Sequence, residues 1–215
     1  MNVKLLTSLE NFFDMVWNAT LAALTTRGNA DKLSETDPEK LLLNIIKLGH
    51  ESILEHITLT YRIQDISRGL LQELARHRHI SLSVESTRYT LKKKLDDADF
   101  MCDFMDKLSP REYKIFAVYL HAIAPAFDTL SNDELKNGLP EFFPTNLILT
   151  LNIRELRHIL KLRTAPQAFQ EFRILAYEMF YVIPYKFKYL VRDCIYKEVK
   201  NKCLTNYRRK FTITQ

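Results

Sequence analysis

Glycine is scarce in this sequence, which contains only 4 glycines among 215 residues, with no two of them close together. Loops that hold nucleotide phosphates through the backbone need clustered glycines, because side chains would keep the N–H groups away from the phosphate oxygens. The scarcity therefore excludes a Rossmann-type or P-loop cradle. Any nucleotide bound by this chain has to be held by side chains.

Cysteine is also rare, and Cys102, Cys194 and Cys203 form no closely spaced pair. An odd number of isolated thiols argues against a disulfide framework and against a cysteine-rich zinc site, and it fits a reducing compartment. No apolar run reaches the length of a membrane span, and Glu10 and Asp14 interrupt the apolar N-terminal stretch, unlike a signal peptide. We therefore expect a soluble, cytoplasmic protein.

The chain does have ample core material, since 47% of its residues are hydrophobic, and its length suits one domain over residues 1–215. Alternating apolar and polar residues predict a strand at 57–64, and a second, buried strand is expected at 146–153. The stretch from 78 to 94 lacks periodicity and is expected to be irregular. Helical spacing predicts a basic helical tail and helices over 8–25, 38–48, 67–77, 109–130, 154–163 and 166–182. Few strands among many helices indicate an α+β fold.

Positive charge is concentrated between residues 76 and 94. This segment has a net charge of 6 − 1 = +5, equal to that of the whole chain, from Arg76, Arg78, Arg88, Lys92, Lys93 and Lys94 against Glu85. Guanidinium groups suit phosphate because their planar fork donates two parallel hydrogen bonds and keeps its charge. The charge alone also fits a solvated basic helix end, which is the commoner case, or a basic nucleic-acid-binding module.

Two further segments concentrate histidine with charged residues. GHESILEH, residues 49–56, lies where a helix gives way to the first strand, and NIRELRHILKLR, residues 152–163, places Arg154 and His158 near one face of an amphipathic helix. Neither histidine of the first segment has a standard zinc spacing, so structural roles are favoured there. A less favoured alternative is a metalloenzyme built on His50, His56, His77 or His79.

Three sequence motifs stand in a fixed order along the chain. They are GHESILEH, then Arg76-His77-Arg78 with Ser86 after seven further residues, then NIRELRHILKLR. The middle motif resembles the RHRx7S signature of flavin-dependent thymidylate synthases (the ThyX family). The outer two resemble that family's H-x-S/T-x-x-E-H and N-A-R-x-L-x-x-F-x-x-L-R blocks, with isoleucine in place of Ala and Phe in the second. Together the motifs cover roughly residues 44–180, most of the chain.

The resemblance implies an enzyme that methylates dUMP to dTMP in de novo synthesis. It implies 5,10-methylenetetrahydrofolate as the carbon donor and FAD, reduced by NADPH, as the hydride carrier. It further implies a twisted, largely antiparallel small sheet flanked by helices, assembled as a homotetramer with shared active sites. The family holds its flavin with Arg, His and Asn side chains, which agrees with the scarcity of glycine, and it implies no metal.

The same resemblance assigns site residues. The implied FAD contacts are Ser52, Arg76, His77, Arg78, Asn152, Arg154 and His158. The implied dUMP contacts are Glu73, Arg76, Ser86, Thr87, Arg88, Lys136 and Arg163. Arg163 is the implied catalytic residue, because a cation beside N3 and O4 of uracil would stabilise charge that develops on the ring. Ser86 is assigned to binding rather than nucleophilic attack, since no His or Asp partner stands at a useful spacing, and His50 is expected near the flavin.

The chain departs from the family pattern at several of these positions. Glu73 replaces a frequent Gln and would bring a carboxylate close to an anionic nucleotide. Ser83 and Val84 replace Asn and Glu within the seven-residue spacer, and Lys136 replaces an Arg, which loses the bidentate fork. A member of the family that has lost activity is therefore a further alternative.

Overall fold

The computed structural model describes residues 1–196. The expected basic helical tail and Cys203 lie outside the described residues. The predicted α+β character is confirmed: the described part contains a four-stranded antiparallel sheet in the order β1-β2-β4-β3 and nine α-helices. The strands are β1 (Asn2–Leu5), β2 (Thr58–Ser67), β3 (Ile80–Val84) and β4 (Pro144–Asn152).

Helices fill the intervals between the strands, with short 3-10 helices at Ala30–Glu35, Glu51–His56, Ala124–Ala126, Tyr185–Leu190 and Arg192–Cys194. The α-helices are α1 (Leu9–Thr25), α2 (Pro38–Lys47), α3 (Arg68–Ala75), α4 (Thr87–Asp96), α5 (Ala98–Asp106), α6 (Pro110–Ile123), α7 (Asn132–Asn137), α8 (Ile153–Arg163) and α9 (Gln170–Tyr181). Most predicted helix starts are confirmed because capping side chains mark them, as at Asp37, Ser67 and Ser109. No helix of the described part is long and apolar enough to cross a membrane.

The expectation of an irregular segment after residue 77 is wrong. Ile80–Val84 forms β3, with half-buried Ile80 and Leu82 alternating with exposed serines, and α4 follows it. The strand was not predicted because its period-two pattern is only five residues long and is flanked by positively charged residues. Three elements, β1, α5 and α7, were not predicted. Some predicted boundaries also differ: β2 continues to Ser67, β4 begins at Pro144, the helix from 109 ends at Ile123, and the last helix begins at Gln170 because Pro166 lies in a turn.

The main core lies on one face of the sheet. Leu59, Tyr61 and Ile63 of β2 and Leu149 and Leu151 of β4 point into it. The opposite face is polar and more open, and it presents the alternate residues of the strands, including Thr58, Thr60, Thr150, Asn152, Ser81 and Ser83. The helices α4, α5, α6 and α7 pack together around a second, smaller core that is rich in aromatic residues.

The register of the sheet brings the three sequence motifs to one end of it. Thr58 of β2 pairs with Asn152 of β4, and Ile80 of β3 pairs with Leu151. The segment before β2, the start of α8 and the Arg-His-Arg part of the second motif therefore meet at this end, although more than 70 residues separate Arg78 from Asn152.

Candidate active site

Two adjoining cavities open at this end of the sheet. The first has a volume of about 520 Å³ and is lined by Glu51, Glu55, His79, Asn152, Arg154, Glu155, His158 and Lys161. The second has a volume of about 460 Å³ and is lined by Glu73, Arg76, His77, Arg78, His79, Glu155, His158, Leu162 and Arg163. The two share His79, Glu155 and His158, so one wall separates two binding volumes.

A buried histidine–glutamate pair forms part of that wall. Nδ1 of His77 lies 2.9 Å from Oε1 of Glu155, and the two side chains are only 4% and 8% exposed. Nε of Arg163 donates to Nε2 of His77 at 3.3 Å. Since a guanidinium can only donate, Nε2 has to be the unprotonated nitrogen, and Nδ1 carries the proton that it donates to Glu155.

Burial lowers the pKa of His77, and the hydrogen bond to Glu155 opposes that shift without reversing it. The positive charge of Arg163 acts in the same direction as burial. His77 is therefore a neutral imidazole at pH 7. It can hold a proton at Nδ1 and orient a neighbouring arginine, but it adds no positive charge to the wall.

Glu73 aligns two of the three arginines of the second cavity. Its Oε2 accepts from Nη1 of Arg163 and its Oε1 accepts from Nη1 of Arg76, each at 3.3 Å. The guanidinium of Arg163 also lies over the ring of Phe172, 4.5 Å from its centre. Three contacts thus fix Arg163, whose side chain is 19% exposed and still reaches the cavity.

Asn152 and Arg154 stand at the start of α8, facing the first cavity. Oδ1 of Asn152 caps the helix by accepting from the backbone N–H of Glu155 at 2.9 Å. Arg154 pairs with Glu55 across the cavity mouth. The amide nitrogen of Asn152 and the guanidinium of Arg154, together with the helix N-terminus, therefore present donors to an anion.

One group of potential metal ligands occurs in the described residues. His77, Glu155 and His158 each offer a ligand atom, and these atoms lie within 4.8 Å of one another. Both nitrogens of His77 already have partners, and the Arg163 cation is adjacent. The expectation that the chain binds no metal stays a prediction.

The structure separates the residues that the family resemblance assigned to dUMP. Glu73, Arg76 and Arg163 line the second cavity, whereas Ser86, Thr87, Arg88 and Lys136 line neither cavity. Strand β3 lies between the two groups and spans about 17 Å. Asp133 joins Arg88 to Lys136, so this second group is itself a compact cluster.

Two other assigned residues stand apart from the cavity walls. Ser52 is exposed on the 3-10 helix Glu51–His56, between two residues that do line the first cavity. His50 precedes that helix, is exposed, and lines neither cavity. Their expected flavin contacts stay predictions.

The assignment of site residues from the sequence left out several residues of the cavity walls. Glu51, Glu55, His79, Glu155 and Lys161 line the first cavity. Only their positions inside or next to the motifs pointed to them. The partner relationships come from tertiary contacts, such as the one between Glu155 and His77, which are 78 residues apart.

Comparisons with known proteins agree with this geometry. The family model described as thymidylate synthase complementing protein (Thy1) matches residues 4–186. A flavin-dependent thymidylate synthase of Campylobacter jejuni is 36% identical over 165 residues, which cover 72% of this chain and 79% of that protein. The corresponding protein of Wolinella succinogenes is 40% identical over 154 residues, which cover 67% of this chain and 75% of that protein.

A solved structure has the same fold. The crystal structure of thymidylate synthase X (ThyX) from Helicobacter pylori with FAD and dUMP aligns with a TM-score of 0.76 at 26% identity, covering 91% of this chain and 99% of that one. The family match, the identities and the shared fold lead to one conclusion. This chain belongs to the flavin-dependent thymidylate synthase (ThyX) family of methyltransferase-type enzymes.

Proposed function

We propose that this chain converts dUMP to dTMP with FAD as its bound cofactor. The observation that carries the proposal is the pair of adjoining cavities that share the wall of His79, Glu155 and His158. Transfer of hydride between a flavin and a pyrimidine requires the two rings in neighbouring sites, held in a reactive orientation. The Helicobacter pylori relative was solved with FAD and dUMP, which supports this pair of ligands.

The residues of the first cavity fit a flavin dinucleotide. Asn152, Arg154 and His158 would hold it, because they offer the donors and positive charge that a pyrophosphate and a flavin carbonyl need. Arg76, His77 and Arg78, which line the second cavity next to the shared wall, would hold its edge. FAD bound here supplies hydride transfer, a chemistry that the side chains do not provide. The chain itself binds, orients and excludes water.

In the second cavity we assign Arg163 to the uracil ring. Glu73, His77 and Phe172 already fix its guanidinium, so no reorganisation is needed when charge develops on the ring. Glu73 acts on the nucleotide through the two arginines that it aligns. This arrangement accounts for a carboxylate beside an anionic substrate.

We infer that a second copy of the chain completes the nucleotide site. Ser86, Thr87, Arg88 and Lys136 form a basic cluster beyond β3 that does not line the cavity of Arg163 in the same chain. In a closed symmetric assembly, this cluster would lie against the cavity of a neighbouring copy. We propose a homotetramer, as the family resemblance implies.

The added carbon and the electrons have to come from co-substrates. A methylene group becomes a methyl group only by gaining a hydride, and we propose 5,10-methylenetetrahydrofolate as the carbon donor and NADPH as the source of the hydride. With the uptake of one proton from solvent, the products are then dTMP, tetrahydrofolate and NADP+. We place this reaction in the cytoplasm.

An absorption spectrum of the purified full chain tests the proposal. With FAD added, we expect bound flavin whose bands shift when dUMP is added, and dTMP formation that needs both co-substrates. A chain that takes up no FAD and does not respond to dUMP would contradict the proposal. Bound ligands without dTMP would support the alternative of an inactive family member.

A further inference from the structure

The chain continues beyond the part that matches the family model. That match ends at residue 186, and residues 187–196 continue along α8 as far as Tyr196. Contacts to Arg157 and to Thr164, the C-cap of α8, join this extension to the helix: the carboxylate of Asp193 binds Arg157, and the backbone N–H of Tyr196 donates to Oγ1 of Thr164 at 3.0 Å. The extension therefore packs directly against the helix that carries the candidate site.

Arg157 is the centre of these contacts. Its side chain is only 1% exposed, and it lines neither cavity. Nη1 and Nη2 donate to the two oxygens of Asp193 at 2.6 and 2.7 Å, and Nη1 also donates to the carbonyl of Leu190 at 2.6 Å. A buried guanidinium held in this bidentate way has a fixed orientation.

The remaining edge of the guanidinium contacts a residue that lines the first cavity. Nε of Arg157 donates to Oε1 of Glu51 at 3.1 Å, and Nζ of Lys161 donates to the same oxygen at 3.1 Å. Both Glu51 and Lys161 line the cavity that we assign to FAD. Burial alone would raise the pKa of Glu51, but the hydrogen bonds from Arg157 and Lys161 outweigh it and keep the carboxylate ionised.

We propose that Asp193 is a positioning residue for the cofactor cavity, acting through Arg157 on Glu51. This inference rests on the proposed function, because it requires the first cavity to hold FAD. Without the Asp193 carboxylate, the buried guanidinium keeps Glu51 as its only anionic partner. It then draws Glu51 away from Lys161 and from its place in the cavity wall.

The test measures FAD affinity by flavin fluorescence for the full-length chain and for Asp193→Asn. We expect the Asp193→Asn substitution to raise the Kd for FAD about fivefold to tenfold. The KM for dUMP at saturating FAD should stay within about twofold of the wild-type value. A variant that is destabilised as a whole would instead change both the Kd for FAD and the KM for dUMP. Arg192→Gln, one position earlier on the same 3-10 helix, is the matched control and should leave both constants unchanged.

A double-mutant cycle tests the route through Glu51. If Asp193 acts on FAD through that carboxylate, Asp193→Asn adds little to the effect of Glu51→Gln in the double variant. Full additivity would overturn the proposal, as would an unchanged Kd for Asp193→Asn. If Asp193→Asn does not fold, Asp193→Glu takes its place in the cycle, and a Kd raised by about twofold to threefold is expected from the longer side chain.

The outcomes separate this inference from the proposed function. A wild-type chain that takes up no FAD would overturn the proposed function and this inference with it. If the wild-type chain binds FAD and the Asp193→Asn substitution leaves the Kd for FAD unchanged, this inference alone is overturned.

Discussion

Nε of Arg163 donates to Nε2 of His77 at 3.3 Å, so the arginine that we assign to the nucleotide also determines where the flavin-site histidine carries its proton. The proton stays on Nδ1, where it is shared with Glu155. The two cavities are thus joined by one hydrogen-bonded chain that runs from Glu73 to Glu155. We therefore expect a substitution of Glu73 or of Glu155 to change the position of Arg163 and His77.

Replacing Arg163 by alanine should nearly abolish dUMP turnover while leaving most FAD bound. The guanidinium is the cation that we assign to the uracil ring, and its loss should cost about 10²–10³-fold in kcat, as for other groups that stabilise developing charge. Turnover and flavin content of the purified variant provide the measurement. Arg111→Ala, at an exposed position of α6, is the control. Loss of flavin with unchanged dUMP affinity would show that Arg163 belongs to the cofactor site.

Mixing two inactive variants should restore activity if the nucleotide site is shared between copies. Arg163→Ala and Arg88→Ala damage the two separate groups of implied dUMP contacts. Random reassembly at equal amounts then leaves about a quarter of the sites with both arginines. Activity is measured after dissociation and reassociation of the mixture, with each variant alone as the control. No recovery from a mixture that has exchanged its subunits would place both groups in sites formed within one chain.

Asn152 has two roles that two substitutions separate. Its Oδ1 caps α8, so Asn152→Ala should lower the free energy of unfolding by about 1 kcal/mol. Asn152→Asp keeps the capping oxygen, and it replaces the amide donors with a negative charge beside the cofactor's phosphates. We expect it to retain stability but lose FAD affinity. Denaturant unfolding and flavin titration measure the two effects. An Asn152→Asp variant with unaltered FAD affinity would remove Asn152 from the set of cofactor contacts.

His77 should make the cofactor-free protein less stable in mild acid. Burial lowers its pKa in the folded state, so at pH values between the folded and the ordinary value the unfolded chain binds more protons. Its contribution is complete above about pH 6.5 and is lost as the pH falls through the lowered folded pKa. His77→Gln should remove this part of the pH dependence, which cannot exceed about 1.4 kcal/mol per pH unit for one proton. Thermal unfolding between pH 5 and pH 8 measures it, with exposed His121→Gln as the control. Equal slopes for wild type and His77→Gln would contradict the expectation.

The structure also argues against a nucleic-acid-binding role for the basic segment at 76–94. Three of its cations pair with acidic side chains: Arg76 with Glu73, Arg88 with Asp133, and Lys94 with Glu85. The segment folds into β3 and α4 rather than an exposed basic arm. Paired cations release fewer counterions on binding a polyanion, which weakens the electrostatic contribution.

Local sequence determined most of the helices and the identity of the motifs. Capping residues such as Ser109 and period-two alternation in β2 act within a few residues, so they can be predicted without the fold. The same holds for the Arg-His-Arg signature, which by resemblance implied a flavin enzyme. Where short-range signals competed, as for β3 among its flanking charges, the sequence was misleading.

The tertiary structure alone decided which of these residues meet. The register of β2 against β4 and of β3 against β4 gathers three distant motifs at one end of the sheet, and a single strand keeps Ser86 away from Arg78. The hydrogen-bond partners of Arg163 and of Arg157 likewise lie 30 to 110 residues away along the chain. Such contacts depend on strand pairing and helix packing over long separations, and no local pattern specifies them.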